Sequence, residues 1–368
     1  MGEAGLDLLR NSGESRPRAS RRTDVVMTAL SVWFVLGLFL DAYAHADTPT
    51  LETFFTPWHA VFYSGFAVTG AWVLETVWRH LERGRRGIAA VPAGYGMTLV
   101  ALPVFAVSGA IDLLWHTLLG IETRTDIFFS PSHLGLVVAM IVIVTSPLRS
   151  AWADPDLPPG PTLRVLLPAV LTLAFGASLV LLFLTYGNAI LFSPNEIVGI
   201  FSTLDDGDAE MLAARIVVTN LVLLAPVLVL ARRWHVPAGA ATISYATAAL
   251  ISATLTGFEH LGTPLSIVAA GVGVDLLALV LRPTAARRAA FWGFAAAAPL
   301  VTWSLYLGVA SVLVGRVPVV TELWTGIPIV AALIGWLLAA LMLPTAQPDP
   351  VAATASERVV SEPVLGRR

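Results

Sequence analysis

The chain has 368 residues, of which 56% are hydrophobic and 13% are charged, whereas a soluble domain carries about a quarter charged residues. The composition therefore indicates a protein whose main solvent is the lipid bilayer. The absence of cysteine excludes disulfides, thiolate metal sites, iron–sulfur clusters and cysteine nucleophiles, and the net charge of −3 points to no particular partner.

Ten apolar runs are long enough to cross a hydrocarbon core of about 30 Å. They predict an all-α polytopic membrane protein with about ten transmembrane helices and repeated helical hairpins. The runs lie at 24–45, 58–79, 91–118, 131–148, 163–186, 211–231, 239–259, 263–281, 290–314 and 324–344.

The same pattern divides the chain into four parts. Residues 1–23 are predicted to form a basic tail, and 24–148 hold the first four helices. Residues 149–344 hold six further helices. The segment 345–368 is rich in Pro, Ala, Ser and charge without an apolar period, so it is predicted to be disordered.

Arginine placement predicts the orientation of these helices. Every basic residue is an arginine, and all but three lie in the two tails and in alternate connections. The positive-inside rule makes that side cytoplasmic, with both termini inside. The arginine-only basic set is typical of a GC-rich bacterial genome, which predicts the bacterial cytoplasmic membrane. The first run follows a twin-arginine pair but is longer than a usual signal segment, so we expect it to stay uncleaved.

Two copies of one pattern lie at the predicted outer ends of the first four helices. The first copy reads D-x3-H from Asp41 and, six residues later, E-x-F-F-T-P-W-H ending at His59. The second reads D-x3-H from Asp112 and, nine residues later, D-x-F-F-S-P-S-H ending at His133. The repeating unit is therefore a helical hairpin.

The spacing predicts that each hairpin gathers three ligands. Residues four apart share a helix face with Cβ atoms roughly 6 Å apart, and the short loop returns the chain at the same depth. The Pro in each copy suits the first turn of a helix, and Thr56 and Ser130 before it are predicted caps. The candidate metal ligands are Asp41, His45, His59, Asp112, His116 and His133.

One carboxylate and two imidazoles suit copper, zinc or iron. Three ligands with an open position favour catalysis over a structural role. A single histidine near an interface is usually an ordinary polar residue. Here, however, the histidines occupy matched positions beside aspartates placed inside apolar runs, where ionisable residues are costly and usually functional. The repeat therefore predicts metal binding, in either one dinuclear or two mononuclear sites.

Weaker echoes of the pattern occur elsewhere. A Ser-Pro pair and a Thr-Pro pair begin two later helices, and acidic residues or a histidine lie near them. The ordinary preference for such pairs at helix starts explains them equally well. The possible supporting residues are Glu52, Asp126, Glu196, Glu259, His260 and Asp275.

Over roughly residues 30–145, the pattern resembles the C subunit of the copper membrane monooxygenases, the particulate methane and ammonia monooxygenase family. The resemblance implies copper at both triads, with Asp112 in place of an asparagine of the family's second site. It also implies dioxygen chemistry. Two departures stand out: six helices follow the motif here, and the family enzymes need two other subunits, one of them with soluble cupredoxin domains.

Three functions remain open on these residues. The first is a copper-dependent oxidoreductase that activates O₂ toward a small apolar substrate, with phenylalanines and Trp58 or Trp115 walling a dry pocket. The second is metal transport, handling or copper insertion without catalysis. The third is a non-metal role, as pH-sensing Asp–His couples or as a scaffold. The predicted partners are the bilayer and other membrane subunits or further copies of the chain, and no nucleic acid.

Overall fold

The computed structural model describes residues 11–47, 55–120, 125–203 and 206–343. Within these ranges the chain is helical and forms no strand. The helices are α1 (Arg21–Asp47), α2 (Pro57–Glu82), α3 (Gly96–Leu119), α4 (Pro131–Val144), α5 (Ser146–Ala153), α6 (Leu163–Phe183), α7 (Pro194–Ile200), α8 (Asp206–Arg233), α9 (Ala240–Leu255), α10 (Gly262–Leu281), α11 (Arg288–Val314) and α12 (Thr321–Met342).

Eight of these helices are long and apolar enough to cross a membrane, and α4 with α5 forms a ninth span if the bent pair is one crossing. The prediction of a multi-pass helical membrane protein is thus supported, and each of the ten predicted runs overlaps a helix. The seventh run, 239–259, contains α9, which has only 16 residues. Ten crossings therefore remain a prediction. The predicted C-terminal tail lies outside the described residues.

The run predicted at 131–148 is broken rather than continuous. Its two parts, α4 and α5, are bent by 41° where they meet at Thr145. Pro147 explains the break, because it lacks an N–H and its ring clashes with the carbonyl four residues earlier. Polar side chains satisfy the released carbonyls: Ser146 donates to the carbonyl of Ile143 at 2.7 Å. Arg149 donates to the carbonyl of Val142, also at 2.7 Å.

The first four helices form two closely packed pairs. Helix α1 packs along α2 and α3 packs along α4, whereas α2 and α3 touch only slightly. Glycine allows the close approach in the first pair, since a Cβ on Gly65 would lie 2.7 Å from the Phe34 Cα. The rings of Phe34, Phe62 and Phe105 then pack against one another at centroid distances of 5.2–5.7 Å and join α1, α2 and α3.

The later helices form a separate apolar core that meets the first along α6 and α9. Several polar groups buried in this core pair with one another, which offsets the cost of placing them in a membrane interior. Trp303 donates to Asn220 at 3.0 Å, and Asn220 donates to the carbonyl of Ala331 at 3.2 Å. This core is built by packing and internal hydrogen bonds.

Helices α1 and α3 end, and α2 and α4 begin, at the same end of the bundle, which we call the triad end. At the opposite end, the arginine-rich connections are tied to the helices. Arg16 donates to the carbonyls of Val91 and Pro92, and the carboxylate of Asp24 accepts from Tyr95 and Ser150. These contacts fix the hairpins at the arginine-rich end, whereas the candidate metal ligands lie at the triad end.

Candidate metal centre

The first triad consists of Asp41 and His45 on the last turns of α1 and of His59 on the first turn of α2. The Asp41 carboxylate lies 3.4 Å from the His59 Nε2 and 3.8 Å from the His45 Nε2. Pro57 occupies the first turn of α2, and the Thr56 hydroxyl accepts from the His59 backbone N–H at 3.1 Å, as predicted. This cap holds the start of α2 where His59 faces α1.

The second triad repeats this arrangement with Asp112 and His116 on α3 and His133 on α4. The Asp112 Oδ1 lies 3.2 Å from the His133 Nε2 and 3.6 Å from the His116 Nε2. The histidine ring centroids are 5.8 Å apart, against 5.6 Å in the first triad. Two hairpins that share a sequence pattern therefore also share a side-chain geometry.

The predicted cap at Ser130 is wrong, because its hydroxyl makes no capping bond to the start of α4. Instead Ser130 pairs with the hydroxyl of Ser132 at 2.8 Å, and Ser132 donates to the Asp112 Oδ1 at 2.9 Å. A hydrogen bond to an ionised carboxylate is stronger than one between neutral groups, which favours the Ser132 contact with Asp112. The two serines therefore orient the Asp112 carboxylate, and the Ser130 side chain does not cap α4.

The spacing of the donor atoms fits a metal ion. In each triad, one ligand atom from each residue lies within 4.8 Å of the other two. Two donors held 2.0–2.2 Å from one ion at a tetrahedral angle are about 3.3 Å apart. The observed oxygen–nitrogen distances of 3.2–3.8 Å match that separation better than the usual hydrogen-bond length of about 2.9 Å.

The two triads open onto one small cavity. Asp41 and His59 line it from the first triad, Asp112 and His133 from the second, and the Tyr63 ring closes one side. Its volume is about 40 Å³. That is room for roughly one to three water-sized molecules. Because each triad is complete by itself, the arrangement suits two neighbouring ions with a small shared ligand space.

The remaining cavity wall is apolar and comes from residues that the sequence pattern did not single out. Trp58, one of the two predicted wall residues, is 37% exposed, and neither Trp58 nor Trp115 lines this cavity. Helical spacing is the signal that finds two actual lining residues: Tyr63 follows His59 by four positions, and Met140 follows His133 by seven. The other apolar lining residues are Leu38, Phe62, Leu136, Val137 and Phe183.

The predicted supporting residues do not join the two ligand groups that the described residues form. Glu52 lies outside the described residues, and Asp126 belongs to the short 3-10 helix Thr125–Phe129. Glu196 caps α7 in a reciprocal capping box with Ser193, which is its alternative helix-start role. Glu259 and His260 lie in the turn between α9 and α10, with Glu259 exposed.

Asp275 has a different environment from the aspartates of the triads. It is buried at 6% exposure, and its carboxylate accepts from the backbone N–H groups of Ala241 and Thr242, each at 3.0 Å. The Thr242 hydroxyl donates to it as well, at 2.6 Å. Asp275 thus satisfies the first N–H groups of α9 from a neighbouring helix. This position is at the arginine-rich end, far along α10 from the triad end.

Comparisons with known proteins found no family model that matches the chain and no significant match among curated proteins or solved structures. The resemblance to the copper monooxygenase C subunit therefore rests on the motif alone.

Proposed function

We propose that this protein is an integral membrane copper protein that binds one ion in each triad, with both sites at the outer face of a bacterial cytoplasmic membrane. One observation carries the proposal: two hairpins each bring one carboxylate and two imidazoles within 4.8 Å of one another. A buried ionised carboxylate is costly unless a cation compensates its charge. Because the two triads have matching geometry, a metal ion could compensate Asp41 and Asp112 in the same way.

The ligand chemistry supports copper among the candidate metals. Imidazole nitrogens and one carboxylate oxygen suit Cu(II), and divalent copper binds such a set more tightly than zinc or iron does. Met140, whose thioether is a soft ligand type, lines the same cavity. Zinc and iron are the alternatives that metal analysis of the purified protein distinguishes.

The small cavity with its largely apolar wall supports an oxidoreductase that uses dioxygen. Bound copper would supply redox chemistry with O₂, and the space between the triads is of the size of a diatomic molecule or a few waters. The chain contributes the ligands, the apolar wall that limits water, and Tyr63 at the edge of the site. The resemblance to the copper monooxygenases favours the same chemistry.

Metal analysis of the purified protein beside a double variant tests the metal proposal. The double variant His59→Ala/His133→Ala removes one imidazole from each triad and should lose nearly all bound metal. The control His80→Ala/His235→Ala removes two histidines that belong to neither triad and should keep the wild-type content. Equal metal in wild type and the His59→Ala/His133→Ala variant would show that the triads are not the binding sites.

The alternative function is metal handling or copper insertion without catalysis. The size of the cavity favours it, because about 40 Å³ leaves no room for an organic substrate between the triads. Oxygen uptake by the copper-loaded protein with a reductant separates the two functions. Uptake above that of the His59→Ala/His133→Ala variant supports the oxidoreductase, and its absence supports handling.

A further inference from the structure

An apolar groove runs between α2 and α3 beside the triad cavity. Its walls are Tyr63 and Phe66 on α2 and, on α3, Phe105 and a strip of small residues that includes Ala106 and Gly109. The groove measures about 330 Å³ and is open on one side. It exists because α2 and α3 pack mainly against their own hairpin partners and touch each other only slightly.

The mouth of the groove faces the lipid side of the bundle. Two of the residues that line it, Ala106 and Ala110 on α3, are exposed on the surface of the helix bundle. In a membrane-spanning helix pair, such a surface meets acyl chains rather than water. The groove is therefore reached from the bilayer, where uncharged apolar molecules concentrate.

Tyr63 lies between the groove and the triad cavity and belongs to the walls of both. Its ring meets the His59 ring at 6.2 Å on one side and the Phe105 ring at 6.1 Å on the other. Gly109 provides the space for it, since a Cβ there would lie 3.0 Å from the Tyr63 Cε1 and 3.2 Å from its hydroxyl. One aromatic ring thus separates the two spaces.

We propose that this groove binds a small uncharged apolar molecule taken from the bilayer, and that the Tyr63 ring is the partition between that molecule and the triads. The inference rests on the proposed function, because it takes the triads to be metal sites that act on this molecule. The triad cavity itself is too small to hold it. Tyr63 lines both the groove and the triad cavity, so a molecule in the groove lies next to the triads. This position favours a small apolar molecule over an acyl chain of a phospholipid or a helix of a second copy. Neither of those would need a connection to the triads.

Photolabelling of the full-length protein in lipid nanodiscs with octyl diazirine tests the groove. Wild-type protein should show saturable labelling at the groove that n-octane competes away. Ala106→Phe fills the groove from an exposed position and should lower that labelling about tenfold or more. Val107→Phe adds the same ring at the neighbouring position outside the groove wall and should leave labelling at the wild-type level.

Two outcomes would overturn the groove proposal. Labelling that n-octane does not compete, and that Ala106→Phe leaves unchanged, would mean that the groove holds only membrane lipid. Wild-type crosslinks between two copies at this groove, lost in Ala106→Phe, would mean that a helix occupies it. Neither depends on metal: a metal-free protein with competed labelling would refute the copper proposal alone.

The partition is tested by the position of the label. In wild type and in Tyr63→Phe, which keeps the ring, the label should stay on α2 and α3. In Tyr63→Ala it should also reach Leu136 and Met140, which line the triad cavity from α4. Peptide mapping by mass spectrometry gives the readout. Label on Leu136 and Met140 in wild type, or its absence there in Tyr63→Ala, would contradict a partition at Tyr63.

Discussion

The two triads use the same three residue types at the same spacing, yet they differ in burial and in how the carboxylate is held. The Asp112 and His116 side chains are each 3% exposed, whereas Asp41 and His45 are 11% and 19% exposed. The third ligands show the opposite order, with His133 17% and His59 11% exposed. The second carboxylate also accepts from Ser132, while Trp58 occupies the matching position in the first copy. A drier and more firmly oriented carboxylate should hold a metal ion more tightly.

The difference arises from one substitution within a shared pattern. The residue before the last histidine of each copy differs between the hairpins. In the second hairpin it is Ser132, which donates to Asp112, and in the first it is the exposed Trp58. Duplication thus supplies two equal ligand sets, and the neighbouring residue makes them unequal. We expect the second triad to be the high-affinity site and the first to exchange its ion more readily.

The largest expected effect comes from removing either carboxylate. Asp41→Ala and Asp112→Ala should each cost one bound ion per chain. The ion that remains in Asp41→Ala occupies the second triad, whose carboxylate is more buried. It should therefore bind roughly tenfold more tightly than the ion that remains in Asp112→Ala. Metal content after titration with chelator measures this. Equal retention in the two variants would contradict the ranking of the sites.

Ser132→Ala should weaken the second site by about 10–100-fold, since it removes the donor that orients Asp112. Ser64→Ala is the matched control, because Ser64 bonds only to its own helix at the Val61 carbonyl and should leave both affinities unchanged. Chelator competition gives both values. An unchanged second-site affinity in Ser132→Ala would show that burial alone separates the triads.

The hairpins should also differ in how they tolerate added bulk. Gly65→Ala sets a Cβ against the backbone of Phe34, so α1 and α2 must separate and the first triad should loosen. Overpacking of this kind costs about 1–3 kcal/mol of unfolding free energy.

In the second hairpin, Gly135→Ala meets chiefly the movable Ser108 side chain and should cost less. Gly308→Ala, with open space around it, is the control and should be neutral or stabilising. Thermal unfolding in detergent ranks the three variants. A larger loss for Gly135→Ala than for Gly65→Ala would contradict the packing difference between the hairpins.

The smallest expected effect on metal content comes from Asp275→Ala. This variant leaves two N–H groups at the start of α9 without their acceptor, and the buried one, on Ala241, costs roughly 1–3 kcal/mol. The melting temperature should therefore fall while bound metal stays at the wild-type level. Metal loss in the folded variant would connect Asp275 to the triads after all.

Much of the metal centre was predictable from spacing, because the periodicity of a helix and a short loop place Asp41, His45 and His59 together. The first-turn prolines and the Thr56 cap followed from the same local rules. Such rules act within one hairpin. They could not predict that two hairpins share a cavity, since that depends on how the pairs pack.

The predictions that failed depended on tertiary contacts. Ser130 has the sequence context of a cap, but a nearby buried carboxylate competes for its hydroxyl network. Trp58 is aromatic and next to a ligand, yet its place on the helix turns it outward. Asp275 was a possible supporting residue of the metal site, and only the fold reveals the helix start that it satisfies.

The most direct test of two ions in two triads is an anomalous diffraction map of copper-loaded crystals, recorded at the copper absorption edge. The account predicts two peaks per chain, one in each triad, each about 2.0–2.2 Å from one carboxylate oxygen and two imidazole nitrogens. A single peak between the triads, or copper bound elsewhere while both triads show no peak, would contradict it.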